Sequence, residues 1–92
     1  MIATMRVVRE VSRLGSFTAA GRELKLSTPS ISRLVGELET DLGVRLFNRT
    51  TRRIALTEAG EQFLRRSTII LEEIETLCEE TRERHGNPKG RL

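Results

Sequence analysis

Ninety-two residues with a net charge of +3, three phenylalanines, no tryptophan or tyrosine and one cysteine describe a single small domain. Such a chain buries only a modest core by itself. The lone Cys78 excludes an intrachain disulfide and fits a reducing compartment, read here as the cytoplasm. No long apolar stretch follows the N-terminus and the longest apolar run, as at Ile69-Ile70-Leu71, has three residues, so neither a signal peptide nor a membrane span is expected.

The charge is unevenly placed. Residues 1–57 hold ten basic side chains against five acidic ones, whereas residues 58–92 hold six against eight. Arg45, Arg49, Arg52 and Arg53 fall within nine residues that contain no acid. This is the electrostatic footprint of a nucleic-acid face; on charge alone it is equally that of a solvated arginine-rich loop.

In chain order, Met5, Val8 and Val11, flanked by Val7 and Leu14, recur at helical spacing and predict a helix over residues 2–14. Gly15 follows as its stop. Ser16 reads as the N-cap of a short second helix running to about Leu24, with a small face at Ala19 and Ala20. After Lys25-Leu26, Ser27 reads as a second N-cap, and Pro29 falls in the first turn, where its missing N–H is harmless. The third helix carries the stripe Ile31, Leu34, Val35, Leu38 and Leu42 and stops at Gly43. A short helix, a tight turn and a longer amphipathic helix form a helix-turn-helix pattern.

The period then changes. Leu46-Phe47 and Ile54-Ala55-Leu56 flank the polar, basic stretch 48–53, which predicts a two-stranded hairpin with an arginine-rich tip, the wing of a winged helix. Thr57 reads as the cap of a fourth helix, with Glu58 and Glu61 complementing its dipole and an end near His85, about 40 Å of helix. Its seam steps by four and three through Phe63, Ser67, Ile70, Ile74, Leu77 and Thr81, widened by Leu64, Leu71 and Cys78. A small chain has little left to cover such a seam, so a second copy is its expected cover, with Phe63, Ile70, Leu71, Ile74 and Leu77 at the dimer contact. The expected fold is therefore mainly α: a winged helix-turn-helix over 1–57, a linker and dimerisation helix over 58–85, and a tail over 86–92.

The ordered set Gly15-Ser16-Phe17-Thr18-Ala19-Ala20, Leu26-Ser27, Pro29-Ser30-Ile31-Ser32-Arg33, Leu38-Glu39, Leu42 to Arg52 and Leu56 to Glu61 resembles the N-terminal domain of the LysR-type transcriptional regulators. The likeness covers residues 15–61, with the linker helix beyond. It departs at Leu34 and Gly36, where that family more often has polar or long side chains, and at Val8, where phenylalanine is common. A glycine inside a helix costs about 1 kcal/mol against alanine. Family members continue into a two-lobed effector-binding domain, and Pro88 to Leu92 resembles the approach to it, so the chain reads as an excised domain.

The resemblance implies sequence-specific binding of double-stranded DNA by a homodimer. It places the first turn of the third helix in the major groove, with Thr28, Pro29, Ser30 and Arg33 at or near base edges. Arg33, the only long donor there, suits guanine or phosphate. Ser16, Thr18 and Ser32 suit phosphate oxygens; Ser16 and Ser27 read first as helix caps, a role compatible with a DNA contact. Arg52 and Arg53 are expected at the minor groove or its phosphates, and Arg49 either joins them or braces the hairpin against the third helix. An enzyme reading finds no phosphate loop and no metal-ligand spacing. His85 reads as a surface residue, Cys78 as packed, and Glu72, Glu73, Glu75, Glu79 and Glu80 as a solvated face. No cofactor, membrane contact or small-molecule effector is expected of this fragment. The rival reading is an interaction module that pairs with full-length relatives through its long helix.

Overall fold

The elements run α1 (Ile2–Leu14), α2 (Phe17–Leu24), α3 (Thr28–Leu42), β1 (Phe47–Arg49), β2 (Ile54–Leu56) and α4 (Glu58–Thr81), followed by a π-helical turn at Arg82–Gly86. The computed structural model describes residues 1–50 and 53–86. The role expected of Arg52, the surface reading of the His85 side chain, and the tail at 87–92 lie outside the described residues.

The helix ends follow local chemistry. Ser16 accepts a bond from the Ala19 N–H at 3.0 Å, Ser27 from Ser30 at 3.2 Å and Thr57 from Gly60 at 2.9 Å, each satisfying a donor that a helix start leaves unpaired. Gly15 and Gly43 close α1 and α3 in the left-handed region, at φ of 69° and 75°. Lys25 closes α2 in the same region, at φ 60°, without glycine's freedom.

Helices α1, α2 and α3 meet around Val7, Val8, Val11, Ala20, Ile31, Val35 and Leu38, and the hairpin adds Leu46 and Phe47 from below. Val8 is wholly buried among these side chains. The close approach of α2 to α3 depends on Gly21 beside Ala20: a Cβ there would lie 2.5 Å from the Leu26 carbonyl. The strands pair antiparallel, with Phe47 opposite Leu56, Asn48 opposite Ala55 and Arg49 opposite Ile54. The paired segment thus takes in Asn48 and Arg49, which lie in the polar stretch between the two apolar runs.

Only Thr57 separates β2 from α4. Its hydroxyl donates to the Arg45 carbonyl at 2.6 Å and its N–H to the Leu46 carbonyl at 2.9 Å, while a Cβ on Gly60 would collide with that same Leu46 carbonyl. The fourth helix is therefore docked on the root of the wing. It then runs beside α1, where Arg9 lies 3.9 Å from Glu75.

This docking corrects the seam. Leu71 and Ser67 are buried within the single chain, and Phe63 is half-buried against the core, so this part of the stripe belongs to the domain itself. Leu71 offers no surface to a partner. Further out, Ile70 is 44% exposed and Leu77 62% exposed, with Ile74 half-buried between them. Cys78, expected to be packed, is exposed because the core ends before that turn of the helix.

Candidate nucleic-acid interface

Ile31, Val35 and Leu38 fix the inward face of α3. At 100° per residue the opposite face carries Pro29, Arg33, Gly36, Glu37 and Thr40. Pro29, Arg33, Glu37 and Thr40 are all exposed. Arg33 stands clear of the fold, its guanidinium 3.7 Å from Glu37 one turn on. An exposed pair at that spacing is worth only about 0.3–0.5 kcal/mol, so a phosphate or a base edge can displace Glu37.

The first turn of α3 is organised by hydroxyls. The Ser27 hydroxyl donates to Ser30 Oγ at 2.9 Å while accepting from the Ser30 N–H. Thr28 reaches Thr18 on α2 at 3.5 Å, which ties the two helix starts together. Ser16, Thr18, Ser32, Arg49 and Arg53 line one open groove between the start of α2 and the hairpin. Of the residues expected at DNA, the structure thus gathers Ser16, Thr18, Ser27, Thr28, Pro29, Ser30, Ser32 and Arg33 around the paired starts of α2 and α3. Arg53 stands at the hairpin tip, where its carbonyl accepts from the Thr50 hydroxyl at 3.2 Å.

Arg49 has a different setting. Strand alternation sets it on the same side as the buried Phe47, and although the residue is exposed its guanidinium lies 4.9 Å from the centre of the Phe17 ring and 3.5 Å from Glu39 Oε1. Phe17 in turn meets Phe47 edge-on at 6.0 Å. A cation held over a ring and against a carboxylate braces the hairpin to α2 and α3. Its contacts within the chain are those of a brace, while its exposed part shares the groove of Ser16, Thr18, Ser32 and Arg53.

The sequence reading gave Glu39 no role of its own. This carboxylate is 7% exposed; Oε2 accepts from the Leu46 N–H at 2.8 Å and the Phe47 N–H at 3.3 Å, and Oε1 faces Arg45 at 3.7 Å. Its own carbonyl accepts from Gly43 and Val44. A single α3 residue therefore sets both the exit from the helix and the first residues of the wing. The only signal available beforehand was an acid at the edge of an apolar stripe, facing a segment whose charges are all positive.

The chain matches the family described as bacterial regulatory helix-turn-helix protein, lysR family, over residues 2–61. It is 42% identical over 88 residues to the HTH-type transcriptional activator AaeR of Escherichia coli K12, covering 96% of this chain and 28% of that protein. The chain spans about a quarter of the length of such curated relatives. Among solved structures it resembles the CbnR DNA-binding domain in complex with DNA, at a TM-score of 0.84 and 35% identity, covering 90% of this chain and 95% of that one. It also resembles the BenM DNA-binding domain in complex with catB site 1 DNA, at a TM-score of 0.87 and 26% identity, covering 90% and 92% of the two chains. With its helix-turn-helix, its hairpin and its long fourth helix in this order, the chain belongs to the lysR family of bacterial regulatory helix-turn-helix proteins.

Proposed function

We propose that this chain is the DNA-reading part of a transcriptional regulator and binds a two-fold-related duplex site as a homodimer. The observation that carries the reading is the first turn of α3: an exposed set of hydroxyls and Arg33, held by the Ser27 cap and projecting away from the core beside a basic hairpin. The two DNA-complex relatives support it. In this reading α3 enters the major groove, Thr28, Ser30 and Arg33 meet base edges, and Ser16, Thr18 and Ser32 meet phosphates. Arg52 and Arg53 act from the wing, by charge. The exposed Ile70 and Leu77 on α4, with Ile74, form the contact between two copies.

The test is binding to a duplex enriched from a random library and to its scrambled counterpart, across a salt series. Arg33→Ala is expected to relax discrimination, costing about 1–3 kcal/mol on the enriched duplex. Arg53→Ala is expected to weaken both duplexes alike and to lower the slope of log K against log salt by roughly one per chain. Binding of the unaltered chain that ignores both sequence and salt would overturn the proposal.

A further inference from the structure

Gly36 sits in the middle of α3, two turns beyond its start, where glycine is among the least favourable residues. The other glycines inside helices have reasons within the chain. Gly21 admits the Leu26 carbonyl and Gly60 the Leu46 carbonyl. Gly36 has none: a Cβ built on it meets no atom within 4 Å, and its backbone does not occupy the left-handed region. Nothing in the fold explains the absent side chain.

Its position does suggest an explanation. Gly36 lies on the outward face between Arg33 and Thr40, on the flank turned toward the wing. It borders two adjoining open grooves, one shared with Arg33, Glu37 and Asp41, the other with Glu39, Thr40, Arg45 and Arg49. The carboxylate in the second groove, Glu39, is already engaged by two backbone N–H groups and two arginines, and so presents no free negative charge. Arg45 remains 65% exposed in its side chain. The missing side chain therefore leaves a notch with arginines on its wing side, at Arg45 and Arg49, and the acids Glu37 and Asp41 on the other.

We infer that Gly36 is the point at which a DNA strand passes closest to α3. The inference rests on the proposed reading, in which α3 occupies a major groove and the wing the neighbouring minor groove. The sugar-phosphate backbone that divides those grooves has to cross between the two elements, and the Gly36 notch lies in that gap. The vacant side-chain position admits the strand, and Arg45, which the sequence counted among the basic cluster without assigning it a role, supplies a phosphate contact at the rim.

Gly36→Ala and Arg45→Ala test this in the full 92-residue chain, with the enriched and scrambled duplexes as probes. Gly36→Ala is expected to raise the melting temperature, because alanine is the better helix former, and to weaken binding to both duplexes by about tenfold. Arg45→Ala is expected to lower the salt slope by roughly one. A more stable Gly36→Ala chain that binds both duplexes as tightly as the original overturns the inference while leaving the proposed function intact. So does a loss confined to the enriched duplex, which would put a base edge at the notch. If the unaltered chain binds neither duplex, the proposed function itself fails.

Discussion

Glu39 is the residue on which α3 and the hairpin both depend. Glu39→Ala strands the Leu46 and Phe47 N–H groups and leaves Arg45 and Arg49 without a partner; the loss is expected to be about 3 kcal/mol, read from the denaturation midpoint. Glu39→Gln keeps one acceptor oxygen and is expected to lose less. Arg49 yields a sharper contrast with Arg53. As a brace, Arg49→Ala is expected to cost about 1 kcal/mol of stability and to change the salt slope of DNA binding little, the reverse of Arg53→Ala. A slope change for Arg49→Ala equal to that for Arg53→Ala would return it to the DNA contacts. The sequence offers Arg49 both roles, brace or DNA contact, and does not choose between them. Its place is set by strand alternation and by the pairing of Arg49 with Ile54, which depend on where a three-residue strand begins.

At the scale of elements, what was legible is what local rules dictate. Ser16, Ser27, Pro29, Gly15 and Gly43 mark the first three helices because caps and stops act within one turn. The turn between α2 and α3 was less legible, since its closeness depends on a contact across space, Gly21 against the Leu26 carbonyl. Gly21→Ala is expected to destabilise by about 2 kcal/mol, because the obstruction is backbone and cannot swing aside. Lys25→Gly is expected to act in the other direction, by up to about 1 kcal/mol, by relieving the left-handed lysine. In a domain of this size these changes amount to a melting shift of about 4–8 °C per kcal/mol, within reach of calorimetry. An unchanged melting temperature for Gly21→Ala would mean that α2 can shift away from the turn.

For the whole molecule, the seam of α4 divides into a part the chain's own core covers and a part it leaves exposed, which periodicity alone cannot separate. A helical repeat shows which residues share a stripe, not where the chain's own core stops covering it. Leu71→Ala is expected to cost 2–5 kcal/mol of stability in each chain, of the order measured for buried leucines. Leu77→Glu is expected to leave the fold intact and to separate the proposed dimer, with DNA affinity falling because two half-sites are no longer held together. Sedimentation of the unaltered chain as a monomer at tens of micromolar would count against that dimer. The molecule measures 54 × 24 × 20 Å, its long dimension drawn out by α4. With Thr57 alone between β2 and α4, and hydrogen-bonded to the root of the wing, no slack lies between the helix that pairs and the head that reads. In the proposed dimer α4 would then act as a ruler. The phase between the two half-sites is inherited from the angle at which two such helices cross, and DNA must supply that phase. Displacing one half-site by half a helical turn, about 5 base pairs, turns it to the far side of the duplex, and affinity is expected to collapse to that of one head alone.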